Sequence, residues 1–399
     1  MPSYIGIGFS KNLDSLEAAK EAVEESRHQL GEGRIDLAIV YHTIHYQPKD
    51  FLSYLHTALD KTRLVGSSTA ALILSRGVED RGIAVLTVRS DRIKFEIGHV
   101  GHLHYQDIFT AGKQMAAECV TEFGAQFRKF LIFYANGLNP YLPQLIDGLK
   151  DQMGQAFPIY GAGSSDAFTF KKTNQIYNDQ PLTDGAVGII LGGTMQTGIS
   201  IKHGWLPLGK PRTVTAITEG ERHVINTIDR KDAVSLYREF FGPEADDLGL
   251  YRLGLLNVRY PLGLFDEGRQ EYILRNVTNT LDDGSIVCQD KVAKDVRAHI
   301  MLGGKESCLR ATQEAATEVK KQLSQKKPEF ILVFESMMRY RLLRRALKEE
   351  LAIIKKTFGD DAPVFGMFST NEVFTPRYFV QENVPTGIHN GCMLMMAIC

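Results

Sequence analysis

Pro158 to Phe170 reads PIYGAGSSDAFTF. A short apolar run stops at Gly161, small hydroxyl residues and one acid follow, and aromatics close the stretch. Such a segment suits a phosphate cradle, an activated nucleophile or a tight turn. Similar segments stand at two other places: LVGSST, with Gly66, and VFGMFST, with Gly366. The residues around the three decide the fold.

Upstream of each lies a short β-branched and aromatic run: Ile35 to Tyr41, Phe130 to Tyr134 and Phe330 to Phe334. Bounded by polar residues, these runs fit inner strands of a parallel or mixed sheet. Between run and glycine comes a helical pattern each time. Phe51, Leu52, Leu55 and Leu59 share one face. Leu142, Leu145, Ile146, Leu149 and Met153 share another. In RLLRRALKEELAIIKKTF, Leu343, Leu347, Leu351 and Ile354 predict one continuous helix. The first run starts 31 residues before its glycine in the first two cases and 36 in the third. A further strand follows later, from Gly82, Gly185 and Gly391. A strand and helix precede each unit: YIGIGFS, IKFEIGHVG and RAHIMLGG open them.

The chain therefore reads as α/β, with three repeated β-α-β-α-β-loop-β units near 1–92, 93–195 and 297–399 forming mainly parallel or mixed sheets covered by helices. An inserted α+β segment, 196–296, lies between the second and third. It holds strand-like TVTAI and EYILRNV and the helix DAVSLYREFFG. This pattern puts the Gly-Ser/Thr segments in loops at strand C-terminal ends, where open α/β sheets collect ligands.

Composition narrows the function. The 399 residues carry a net charge of −1 and are 44% hydrophobic. Balanced charge gives no electrostatic footprint for nucleic acid, and the basic stretches KKTFG and RLLRRALK read as solvated helix faces. No apolar run approaches the roughly 20 residues that span a bilayer, and the N-terminus does not read as a signal peptide. The five cysteines form no CxxC pair and suit reduced thiols of a cytoplasmic protein.

For the opening stretch, phosphate binding lacks a following helix and any GxxxxGK[ST] or GxGxxG pattern. A serine elbow lacks GxSxG. The tight turn suits each stretch singly. Three equivalent segments at sheet edges also suit a small polar ligand, oriented by Gly161, Gly163, Ser164, Ser165 and Asp166.

Several separated motifs carry a family resemblance. KHGWLPLG (Lys202 to Gly209), RYPLG (Arg259 to Gly263), GMFSTNE (Gly366 to Glu372) and IHNGCMLMMAI resemble the C-terminal half of FIST-domain proteins. IGFS, LVGSSTA, IYGAGSSDAF and TDGAVGIIL resemble the N-terminal half. The halves fall at 1–195 and 196–399. Two departures stand out: Asn371 replaces a glycine before Glu372, and ESMMR puts Met337 and Met338 where relatives carry a cysteine and glycine.

The resemblance implies a stand-alone sensory protein that binds a small polar ligand, amino-acid-like in character, and relays its state to a signalling protein such as a histidine kinase. His203, Trp205, Phe368, Ser369, Thr370, Asn371, Glu372, His389 and Asn390 then join the ligand-binding set, with the pocket expected where GMFSTNE meets HGW. The alternative is a haem-binding nitric oxide sensor, with His203, His389, His99, His102 and His104 as candidate iron ligands. A third reading is a small-molecule hydrolase using Asp166 and Glu372. The cofactor is otherwise unknown.

Overall fold

The computed structural model describes residues 3–218, 223–246, 256–375 and 387–399. The protein is mixed α/β, built on two mixed sheets and one antiparallel sheet. The expected inner strands form at Leu37–Thr43, Arg128–Ala135 and Phe330–Ser336. Each pairs in parallel with the strand that carries its glycine: Leu64–Thr69, Ile159–Gly163 and Val364–Phe374. Each also pairs antiparallel with the later strand: Ile83–Arg89, Gly185–Gly193 and Met393–Ile398. These three are the parallel pairs among the described residues, so the two sheets that hold them are mixed rather than mainly parallel. The cause is the returning strand, which enters beside the first run from the opposite direction.

The inner faces of these strands form one central apolar cluster, including Tyr41, Tyr134, Phe334 and Phe365. The outer faces pack against helices in separate clusters. Ser15–Leu30 and Pro48–Ala58 cover one. Ile108–Phe123 and Leu142–Met153 cover the next. Lys305–Gln322 and Leu347–Phe358 cover the third. Burying a sheet on both faces explains why the inner strands read as continuous apolar runs rather than alternating ones.

Three expectations need correction. Arg297–Gly303 does not open the third set of strands. It pairs with Trp205–Thr218 and Leu262–Asp266 in a separate sheet. The edge beside Met393–Ile398 is taken by Thr197–Lys202, whose Gly198 lets the backbone approach Val319 of helix Lys305–Gln322. A Cβ there would stand 2.4 Å from the Val319 carbonyl oxygen. Sequence adjacency to the helix made Arg297–Gly303 look like its strand partner, but that sheet edge was already filled.

The continuous helix expected over 341–358 is broken. Met337–Leu343 ends at Arg344, which has φ 46, and Leu347–Phe358 begins anew. Nothing in the apolar spacing marks the break.

Finally, the glycines of all three segments lie in strand, not loop, Gly161 and Gly163 inside Ile159–Gly163. Gly66, Ser67 and Ser68 lie inside Leu64–Thr69, and Gly366 to Thr370 lie inside Val364–Phe374. The tight-turn reading fails at Gly66, Gly161 and Gly366. Their hydroxyls replace apolar side chains where the strands converge.

Candidate functional site

The three hydroxyl segments meet each other. Ser67 donates its hydroxyl to Ser164 Oγ at 2.7 Å, and Ser68 Oγ donates to the Ser165 carbonyl at 3.0 Å. Ser165 Oγ donates to the Phe368 carbonyl at 2.5 Å and accepts the Ala70 amide at 2.9 Å. Thr69 Oγ1 donates to the same Phe368 carbonyl at 2.9 Å. Ser67, Ser164, Ser165 and Ser369 are fully buried. A dry site needs its polar groups paired, and here each segment supplies the others' partners. The junction is a satisfied polar knot at the centre of the molecule.

Beside it opens a cavity of about 1280 Å³. One wall is the Asn136–Pro143 stretch after strand Arg128–Ala135, and another is the Phe168–Thr173 loop. Met337, Met338 and Arg341 of helix Met337–Leu343 form a third. Ser369, Thr370, Asn371 and Asn390 form the floor, and Asn276, Thr278 and Gln289 of the separate sheet complete it. Amides link these walls. Asn371, held at φ 55, donates to the Gly137 carbonyl at 3.3 Å. Asn390 Nδ2 donates to Asn371 Oδ1 at 3.3 Å and to Gln289 Oε1 at 3.1 Å, and its Oδ1 accepts the Asn276 amide at 3.1 Å. Asparagine tolerates the left-handed conformation, so Asn371 sits at the irregularity between Thr370 and Val373 in strand Val364–Phe374 and adds a side chain to the floor.

The Phe168–Thr173 wall is shaped from beneath by Asp166. Its carboxylate accepts the Phe170 amide at 3.0 Å, the Lys171 amide at 2.7 Å, the Lys172 amide at 3.1 Å and the Thr169 hydroxyl at 2.6 Å. Those donors offset the positive φ of Ala167, Phe168 and Phe170, a conformation that costs non-glycine residues free energy. With its oxygens so engaged, Asp166 is a loop organiser.

The remaining sequence-derived residues disperse. Gly161 and Gly163 belong to strand Ile159–Gly163. Of the GMFSTNE set, Ser369, Thr370 and Asn371 line the cavity, whereas Phe368 turns into the apolar cluster that also holds Trp205. Glu372 is buried, accepts the Ser369 hydroxyl at 2.9 Å, and burial pushes its carboxyl up to about 8. His203 is lowered to about 4 by burial, and both ring nitrogens are used. Nε2 meets the Tyr272 carbonyl at 3.0 Å, and Nδ1 accepts the Trp205 amide at 2.8 Å. His389 is buried edge-on to Phe374, and burial holds it well below the usual imidazole range. His99 stacks on Tyr177 and bonds Glu118 through Nδ1. His102 caps a 3₁₀ turn in left-handed conformation. Only His104 of these five reaches the cavity, at an exposed position. His203 has no ring nitrogen left for iron, and the cavity walls mix amides and hydroxyls with apolar side chains such as Leu138, Phe168 and Met338.

Behind the methionines lies a buried ion network. Arg339 donates Nε to Glu335 Oε1 at 3.0 Å, Nη2 to Thr312 Oγ1 at 2.8 Å and to Glu350, and Nη1 to the His203 carbonyl at 2.6 Å. Burial, with Glu350 close by, pushes the Glu335 carboxyl well up. This cluster pins helix Met337–Leu343, and so Met337 and Met338, against the third helical layer.

Sequence reasoning missed Asn136, Asn139, Thr173, Asn276 and Arg341. The NGLNP run at 136–140 after an inner strand was the available signal. Asn276 and Arg341 had none, because distant folding brings them in.

The FIST N domain family matches residues 36–231 and the FIST C domain family matches residues 233–375. No curated protein matches the chain. The crystal structure of cyanuric acid hydrolase from A. caulinodans is similar over 100% of this chain and 99% of that chain, at 8% identity and a TM-score of 0.41. That likeness is too distant to carry an argument about activity. FIST domains are sensory domains, and with both halves matched in order along most of its length, the chain belongs to the FIST-domain family.

Proposed function

We propose that the protein is a sensor whose small polar ligand, of amino-acid-like character, occupies the cavity beside the hydroxyl junction, and whose occupancy is relayed to a signalling partner such as a histidine kinase. One observation carries the reading. The Asn136–Thr173 walls belong to the FIST N match, and the Asn276–Gln289, Met337–Arg341 and Ser369–Asn371 walls belong to the FIST C match. A ligand that touches both halves has a means to favour one arrangement of them over another. Five free thiols accord with a cytoplasmic site of action.

The accompanying view of the fold is three related units, with the inserted segment lying between the strand Thr197–Lys202 and the helix Lys305–Gln322. Two features support it. The strand order is the same in each set of four, with the later strand between the first two. Gly8 and Gly198 stand at matching first strands, each pressed against a carbonyl of the covering helix.

The test is a thermal-shift screen of amino acids and related polar metabolites on the full chain. A ligand at 100 times its Kd stabilises by about 2.7 kcal/mol, so a binder raises the midpoint clearly. A screen in which no compound near saturation moves the midpoint of the folded protein would remove the reading.

A further inference from the structure

The cavity's charge is one-sided. Lys171, Lys172 and Arg341 line it, and no Asp or Glu stands among its described lining residues. Arg341 lies over Phe168, its guanidinium carbon 5.3 Å from the ring centroid, and has no carboxylate partner among the described residues. The acids just behind the wall are engaged elsewhere. Asp166 holds the loop amides, and Asp184 accepts the His104 amide at 2.7 Å and Asn136 Nδ2 at 3.3 Å. Burial lowers the cavity-lining His223, so lysine and arginine set the sign of the field. Cations gathered on one concave surface focus anions into it.

A second observation points to an occupant. Asn276 lines the cavity, and its buried Oδ1 has no hydrogen-bond partner among the described residues. Its Nδ2 is committed to Gln289 Oε1 at 2.9 Å, which leaves the oxygen over. A buried acceptor without a donor is costly; Oδ1 is closed to solvent in the unliganded protein, so a ligand hydroxyl or N–H satisfies it once the amide turns toward the cavity.

We propose that this cavity takes an anionic metabolite, whose carboxylate or phosphate is held by Arg341 with Lys171 and Lys172 and whose hydroxyl or N–H meets Asn276 Oδ1. The inference rests on the cavity being the ligand site. It narrows the ligand's chemistry: acid groups are recognised, and the ammonium of an amino acid meets no carboxylate in the described wall. The guanidinium fork suits a two-oxygen contact with either acid.

Calorimetric titration of the full chain decides it, using glutarate, L-glutamate, glutaramide and glycerol 3-phosphate at two salt concentrations. The expected result is binding of glutarate or glycerol 3-phosphate, which of the two binds telling carboxylate from phosphate. Glutaramide should bind at least about tenfold more weakly, since it lacks the charge-assisted contact. Affinity for the anion should fall with added salt. Arg341→Gln should cost about tenfold or more, the scale of one charged hydrogen bond. The exposed Lys171→Gln and Lys172→Gln changes weaken it without touching the packed wall, which guards against a folding artefact. Glutaramide binding as tightly as glutarate, or L-glutamate binding where glutarate does not, overturns the anionic preference and leaves the ligand site standing. Binding of some neutral or cationic metabolite in place of all four overturns it in the same way. A protein that no compound stabilises loses the ligand site and this inference together.

Discussion

The buried Asp166 carboxylate accepts the Lys171 amide at 2.7 Å, while Lys171 itself lines the cavity. One buried acid thus sets the shape of a wall that it does not itself line. Asp166→Ala strips several amides of their acceptor, and hydrogen bonds to a charged group contribute about 1.5–3 kcal/mol each. The expected outcome is a loss of at least one such increment in urea denaturation, with ligand affinity falling as the loop relaxes. Asp166→Asn, which retains one acceptor oxygen, should fall between. Unchanged stability in both variants would show that the loop is held by other contacts.

Arg339 is fully buried between Glu335 and Glu350. Removing one partner of such a network leaves a charge stranded in a dry site, at a cost of about 3–5 kcal/mol. Arg339→Met should therefore destabilise the protein heavily in chemical denaturation. Adding Glu335→Leu and Glu350→Leu to that variant should recover much of the loss, because no charge then remains. A triple variant no more stable than Arg339→Met would contradict this account of the cluster.

Glu372 gives a pH signature. Its folded carboxyl titrates near 8, well above the roughly 4.3 of an exposed glutamate. The folded state thus holds a proton that the unfolded chain releases. The contribution is fully present below the unfolded value and is lost as pH rises through the folded one. Glu372→Gln, which cannot ionise, should therefore gain stability relative to the parent as the pH is raised from 5 to 9. Midpoints measured across that range should diverge upward for the variant. Parallel curves would mean that Glu372 ionises as freely in the folded protein as in the unfolded chain.

Tyr41 and Tyr134 come from the two inner strands of the N-terminal half, and their hydroxyls meet at 2.7 Å in the central core. Tyr41→Phe or Tyr134→Phe alone leaves a buried hydroxyl unpaired, and each should cost about 1–3 kcal/mol. The double variant should cost less than the two single losses combined, since it leaves no orphan. Additive losses in the double-mutant cycle would show that the two rings do not act together.

The inner strands and their helices were legible because both carry strong local signals. Leu37 to Tyr41 of strand Leu37–Thr43 and Phe130 to Ala135 of strand Arg128–Ala135 are apolar throughout, and Pro48–Ala58 and Leu142–Met153 keep their apolar faces at helical spacing. Partner choice was not legible. Thr197–Lys202 and Arg297–Gly303 are both credible strands, and only the free edge beside Met393–Ile398 selects the first. The same limit applies to the site. Ser369, Thr370, Asn371 and Asn390 could be marked from their motifs, but Asn276 meets Asn390 across 114 residues of chain. Phe368 and Ser369 are neighbours in one strand, and alternation sends Phe368 to the apolar cluster while Ser369 lines the cavity.

The central claim is that the ligand sits in the cavity that joins the two halves. A crystal structure of the protein with the compound that most raises its melting midpoint tests this most directly. The account predicts that compound within hydrogen-bond distance of Asn276 or the Asn371–Asn390 floor, with its acid group toward Arg341. Clear density for the compound at another surface, with this cavity filled by solvent alone, would contradict it.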